Sequence, residues 1–243
     1  MITRNAIKWS YILLLSTISL TAQKKSKLKP TKSISIEVPE PSDICFSSKN
    51  NSFFIVSDTG ILFETKLNGD IIRKKKQKDT DFEAVYSDDK FVYAVDESNR
   101  TIYQYDIVDF KKIKETVFPY NGARNKGYES FTYDETKKRF ILITESEPTL
   151  LFELDINFNI VKQTDISSVA SDISSARFYK NNLWLLSDED MTLIKLNPET
   201  FEVLNKWKLP IINPEGLAFD AAGNILITSD DMQRLYFFNN PEN

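Results

Sequence analysis

Asp81-Phe82-Glu83-Ala84-Val85-Tyr86-Ser87-Asp88-Asp89-Lys90-Phe91-Val92-Tyr93-Ala94-Val95-Asp96 holds two apolar runs around one polar turn. Short apolar runs bounded by turn residues read as buried strands, so the stretch is a hairpin. Two more runs follow it. Ile102-Tyr103-Gln104-Tyr105-Asp106 alternates cleanly, and Ile113 to Val117 is more polar. Polarity that rises from the first to the fourth strand fits a radial sheet whose outer edge meets solvent.

The same unit recurs along the chain. Its first strand reads Ile44-Cys45-Phe46, Ala84-Val85-Tyr86, Ser130-Phe131-Thr132-Tyr133, Ser175-Ala176-Arg177-Phe178 and Leu217-Ala218-Phe219. An acid precedes each one: Asp43, Glu83, Glu129, Asp172 and Glu215, at spacings of 40, 46, 43 and 43 residues. A period of roughly 40–50 residues with four strands per repeat marks a β-propeller. The last unit stops after Leu235-Tyr236-Phe237-Phe238 and lacks a fourth strand, while Ser33 to Val38 alternates like one at the other end. The fold expected is therefore all-β, a five-bladed β-propeller whose N-terminal strand completes the C-terminal blade. A β-sandwich or open meander also uses short strands, but sustained four-strand periodicity favours the propeller.

Composition narrows the chemistry. The chain has 243 residues, no histidine and one cysteine, Cys45. Ser-His-Asp and Cys-His catalysis and histidine-ligated zinc are excluded, as is an intramolecular disulfide. Arg4 and Lys8, an apolar core from Trp9 to Ile18, and small residues around Ala22 read as a cleaved export signal over 1–22. Residues 23–31 then form a flexible leader and 32–243 the propeller. Localisation is expected to be periplasmic or extracellular, with no stable membrane span after cleavage. Without residues 1–22 the chain carries 29 basic and 35 acidic residues, a balance that argues against nucleic-acid binding.

Strand direction places the acids. The first strand of each unit runs away from its leading acid, and the second returns to end on another: Asp58, Asp96, Glu145, Asp188 and Asp230. Both registers thus crowd one mouth of the channel. Carboxylates so close either share protons or hold a cation. Oxygen ligands without histidine or cysteine favour calcium. Glu83, Glu129 and Glu215 are the leading ligands, and Asp172 and Asp43, being shorter, are expected to reach through water. The competing reading is that the acids cap turns, which Asp does well and Glu poorly.

The segments Asp81-Phe82-Glu83-Ala84, Asn125-Lys126-Gly127-Tyr128-Glu129, Ser171-Asp172-Ile173-Ser174, Leu185-Leu186-Ser187-Asp188-Glu189 and Asn213-Pro214-Glu215-Gly216-Leu217-Ala218 together resemble the SdiA-regulated family, relatives of NHL-repeat propellers. The similarity spans about residues 32–240. It implies a five-bladed propeller with a calcium site near the channel, and kinship with lactonase-like propeller hydrolases that use a channel metal. Ala84 and Ser130 depart from the family, which often has Gly after the Glu.

Two functions follow as expectations. In one, calcium stabilises the propeller and the acidic face binds a small molecule, glycan or protein. In the other, the protein is a calcium-dependent hydrolase of a small ester, lactone or phosphate, with Asp188 or Asp230 as general base. Lys126 and Arg177, which flank the acids, read as structural ion-pair partners. Trp184 and Trp207 read as packing between blades, and the basic run Arg73 to Lys76 as a solvated outer edge.

Overall fold

The computed structural model describes residues 26–118 and 126–243. These residues form strands and turns with no helix, and so no helix long and apolar enough to cross a membrane. The expected export signal over 1–22 lies outside the described residues.

Two short strands come first, β1 (Ser26–Lys27) and β2 (Lys32–Ser35). Blade one is β3 (Pro41–Ser47), β4 (Ser52–Ser57), β5 (Ile61–Thr65) and β6 (Ile71–Lys76). Blade two is β7 (Phe82–Ser87), β8 (Phe91–Asp96), β9 (Thr101–Asp106) and β10 (Lys112–Val117). Blade three is β11 (Tyr128–Asp134), β12 (Arg139–Thr144), β13 (Leu150–Leu154) and β14 (Ile160–Asp165). Blade four is β15 (Ser175–Tyr179), β16 (Asn182–Ser187), β17 (Thr192–Leu196) and β18 (Val203–Lys208). Blade five is β19 (Pro214–Phe219), β20 (Ile225–Ser229) and β21 (Arg234–Phe238), closed by β2 in the fourth position. The chain is a five-bladed β-propeller, as its period indicates.

Closure follows the expected route: β2 pairs antiparallel with β21, from Lys32 opposite Phe237 to Ser35 opposite Arg234. Of the flexible leader expected over 23–31, residues 23–25 lie outside the described residues. From Ser26 the chain lies on blades four and five, with β1 pairing parallel to β18 and the Leu28 and Thr31 amides donating to Lys208 and Phe237. Blade four offers unpaired backbone groups at its edge, and Leu28 is an apolar residue that packs against the cluster between blades four and five.

There is one apolar cluster between each adjacent pair of blades, five in all. This explains the second strands, whose central residues are apolar on both faces. Alternate residues face opposite sides of a blade. In Phe53-Phe54-Ile55-Val56, Phe54 and Val56 enter the cluster shared with blade two, and Phe53 and Ile55 the cluster shared with blade five. Each fully buried side chain of this size contributes about 1.5–3 kcal/mol. Trp184 and Trp207 stack with ring centroids 5.4 Å apart in the cluster between blades four and five. Arg73 to Lys76 lies on β6, the outer strand of blade one.

Candidate functional site: an acidic mouth

The leading acids are aimed by β-bulges. In blade two, Phe82 pairs with Asp96 and Ala84 with Val95, leaving Glu83 as the extra residue; Glu129 is the extra residue in blade three. In blade five the shift falls between Pro214 and Leu217, across Glu215. A bulge bends the strand and re-aims the unpaired side chain, a device common beside functional sites. All three glutamates line one cavity of about 280 Å³, with Ser42, Asp58, Glu145, Asp172, Ser174, Asp188, Glu189 and Asp230. Nine of those eleven side chains are acidic and none is basic.

Asp43 is not among them. In blade one Pro41 pairs with Ser57 and Asp43 with Val56, so the bulged residue is Ser42. Asp43 lies one position deeper, fully buried, where Arg177 Nη2 donates to its Oδ2 at 2.7 Å. Ser175 Oγ donates to Oδ1 and the Val85 amide to Oδ2, both at 2.8 Å. With guanidinium and donors already on both oxygens, Asp43 is a structural anion rather than a metal ligand. Burial raises its pKa, and Arg177 with the surrounding donors opposes that rise.

Blade four differs as well. Ser175 pairs with Leu186 as Ala84 does with Val95, which puts Ser174 at the ring position. Asp172 lines the cavity from two residues earlier and is held there by Ser187 Oγ at 2.6 Å and the Asp188 amide at 3.0 Å. The inner ring is therefore Ser42, Glu83, Glu129, Ser174 and Glu215.

The second register also shifts in one blade. Ser57, Thr144, Ser187 and Ser229 end their strands, and the acids Asp58, Glu145, Asp188 and Asp230 come next. In blade two the strand ends on Asp96, so the corresponding acid is Glu97. Asp96 does the work of a turn residue, accepting from the Asp81 and Asn99 amides and from Ser98 Oγ. Glu97 accepts from the Gly127 amide at 2.7 Å. The sequence held the signal: in the other four blades a small hydroxyl directly precedes the acid, and Asp96 occupies that hydroxyl column.

Among the described residues, the acids come together as two triads rather than one ring. Asp58, Asp81 and Glu83 each offer an oxygen within 4.8 Å of the others, as do Glu97, Glu129 and Glu145. Each triad joins both registers and two neighbouring blades, and Asp81 and Glu97 are the members that the repeat alignment passes over. Burial, then neighbouring carboxylates, pushes Glu83 and Glu129 well above the usual glutamate range. Glu215 is pushed up to about 9 by burial, then by Asp188 and Asp230. Asp188 rises to about 6 through burial and Asp172. Lys126 pairs with Glu147 and Arg177 with Asp43, so both basic flankers are structural partners.

A sequence profile of the SdiA-regulated family matches residues 19–239. The chain belongs to the SdiA-regulated family. Among solved structures, this SdiA-regulated propeller resembles the glutaminyl cyclase of Myxococcus xanthus, with a TM-score of 0.72 and 13% identity over 88% of this chain and 96% of that one. It also resembles the β-propeller domain of Cps50 (Swd1) from Myceliophteria thermophila, with a TM-score of 0.57 and 9% identity over 88% and 99% of the two chains. At such identities the likeness is one of fold.

Proposed function

We propose that this protein is an exported calcium-binding propeller whose acidic mouth holds the ion and presents it to a ligand or partner. The observation that carries this reading is the pair of carboxylate triads, four of whose six members line a cavity that has no basic side chain among the described residues. Carboxylates packed this closely need protons or a cation, and calcium accepts several oxygens in irregular geometry. Glu83, Glu129 and Glu215 supply the inner oxygens, and Asp58, Asp81, Glu97 and Glu145 complete the triads. Ser42 and Ser174 are neutral and leave the ring less negative toward blades one and four. Asp172 is tied to blade four and contributes charge to the cavity.

The test is isothermal titration of chelator-stripped protein with calcium, paired with thermal melts in calcium and in chelator, and with magnesium as control. Calcium should bind and raise the melting temperature, and Glu129→Gln should weaken both effects. Identical melting curves with and without calcium, together with no binding heat, would sink the proposal.

A second reading is a calcium-dependent hydrolase of a small ester, lactone or phosphate. It is supported by Asp188, whose pKa of about 6 suits a general base near neutral pH. Bound calcium would supply charge stabilisation at a carbonyl or phosphoryl oxygen. Asp230, also raised by burial and Asp58, is the alternative base. A turnover screen of the three substrate classes, with a glutaminyl peptide added because of the cyclase fold likeness, tests this reading. Calcium-dependent turnover lost in Asp188→Asn with the melt retained supports it, and no turnover leaves the binding role.

A further inference from the structure

A second cavity, of about 590 Å³, is lined by the far ends of the first strands. Its walls are aromatic: Phe46, Tyr86, Tyr133, Phe178, Tyr179 and Phe219. Tyr86 and Tyr133 stand 6.3 Å apart, and Tyr179 stacks on Phe219 at 4.0 Å.

Two hydroxyls of this cavity, on Ser87 and Thr132, are placed to donate. Ser87 Oγ already accepts from Cys45 Sγ, and Thr132 Oγ1 from the Phe178 amide, so each hydroxyl has its own proton to give. Tyr133 is half-buried, with its ring on the cavity wall. Arg177 is 6% exposed and lines the same cavity; its Nε–H has no acceptor, whereas its terminal nitrogens serve Phe131, Ala176, Asp43 and Ile44. Asp88, Asp89, Glu135 and Asp220 also line the cavity, against Lys49 as the other basic residue, so an anionic ligand is disfavoured.

We propose that this aromatic mouth binds a neutral, flat small molecule that places a carbonyl-type acceptor against the hydroxyls of Ser87 and Thr132. The rings clasp its flat body, and aromatic walls with a few convergent polar groups are the usual make-up of a small-molecule site. The site is separate from the calcium reading and does not rest on it.

The probe is indole-3-acetamide, compared by calorimetry and ligand-observed NMR with 3-methylindole, indole-3-acetate and tryptamine, in calcium and in chelator. The amide should bind about tenfold or more tightly than 3-methylindole, which lacks the acceptor, and more tightly than the acetate. Ser87→Ala should narrow that gap, and Tyr133→Ala should weaken all four probes. Chelator should leave the amide's affinity unchanged. No binding of any probe at 10 mM overturns the site (a ceiling of about this order marks negligible affinity), as does binding indifferent to Tyr133→Ala. Equal affinity for amide and 3-methylindole overturns the acceptor, and tightest binding by tryptamine shows a cation site instead.

Discussion

Arg177 of blade four and Asp43 of blade one meet with Nη2 2.7 Å from Oδ2, both side chains almost fully buried. Around them converge the Val85 amide from blade two, the Phe131 carbonyl from blade three, and Ser175, whose hydroxyl also receives the Leu217 amide from blade five. One ion pair with its immediate partners thus touches all five blades. Asp43→Asn is expected to cost about 3–5 kcal/mol in urea unfolding, because it strands a buried guanidinium. The double variant Asp43→Leu/Arg177→Met should cost less than the sum of its single changes, a coupling that a double-mutant cycle measures.

The corrected register makes a paired prediction. Glu97→Gln should weaken calcium binding about as much as Glu145→Gln, since both acids sit in one triad with Glu129. Asp96→Asn should leave calcium affinity nearly unchanged and lower stability by roughly 1 kcal/mol through its turn hydrogen bonds. Titration calorimetry with urea unfolding separates the two effects.

Without calcium, stability should rise as pH falls from about 9 toward 6. Glu215 has a folded pKa of about 9 against an ordinary value of 4.5, so the folded chain holds a proton that the unfolded chain releases. Its contribution is complete below the ordinary value and is lost as pH climbs through the folded one. Saturating calcium competes with those protons, so the rise should shrink or reverse. Melting temperatures across this range, with calcium and with chelator, give the readout.

Gly216→Ala should destabilise by about 1–3 kcal/mol through overpacking. A Cβ there meets Thr228 Oγ1 at 2.4 Å and the backbone of Asp43 and Ile44 at 2.8 Å. The glycine is the place where blade five's inner strand comes close to that of blade one. Thermal melting of the variant tests it.

The fold was legible because burial on both faces makes each second strand apolar, and that pattern repeats with its turns. The circular closure was legible from a missing strand and a spare one. The site was less so, because a bulge moves the pairing by one residue. In Pro41-Ser42-Asp43 the eye aligns the acid, whereas the ladder aligns Ser42 with Glu83. Asp96 and Glu97 present the same ambiguity, which the hydroxyl before the acid in the other four blades could have settled and the end of β8 does settle. The grouping into triads depends on neighbouring blades, and no repeat within one blade encodes it. The Asp43–Arg177 pair spans 134 positions in sequence, and nothing local announces it.

The closing strand β2 has a consequence for biogenesis. Lys32 to Ser35 is synthesised long before the strand that receives it, Arg234 to Phe238. The circle cannot shut until β21 is available to receive β2. Every chain therefore passes through an open, C-shaped stage with an unmatched edge at each end. A product truncated before β21 remains at that stage, exposed to aggregation and proteolysis, so the seam distinguishes chains that contain β21 from those that stop short of it.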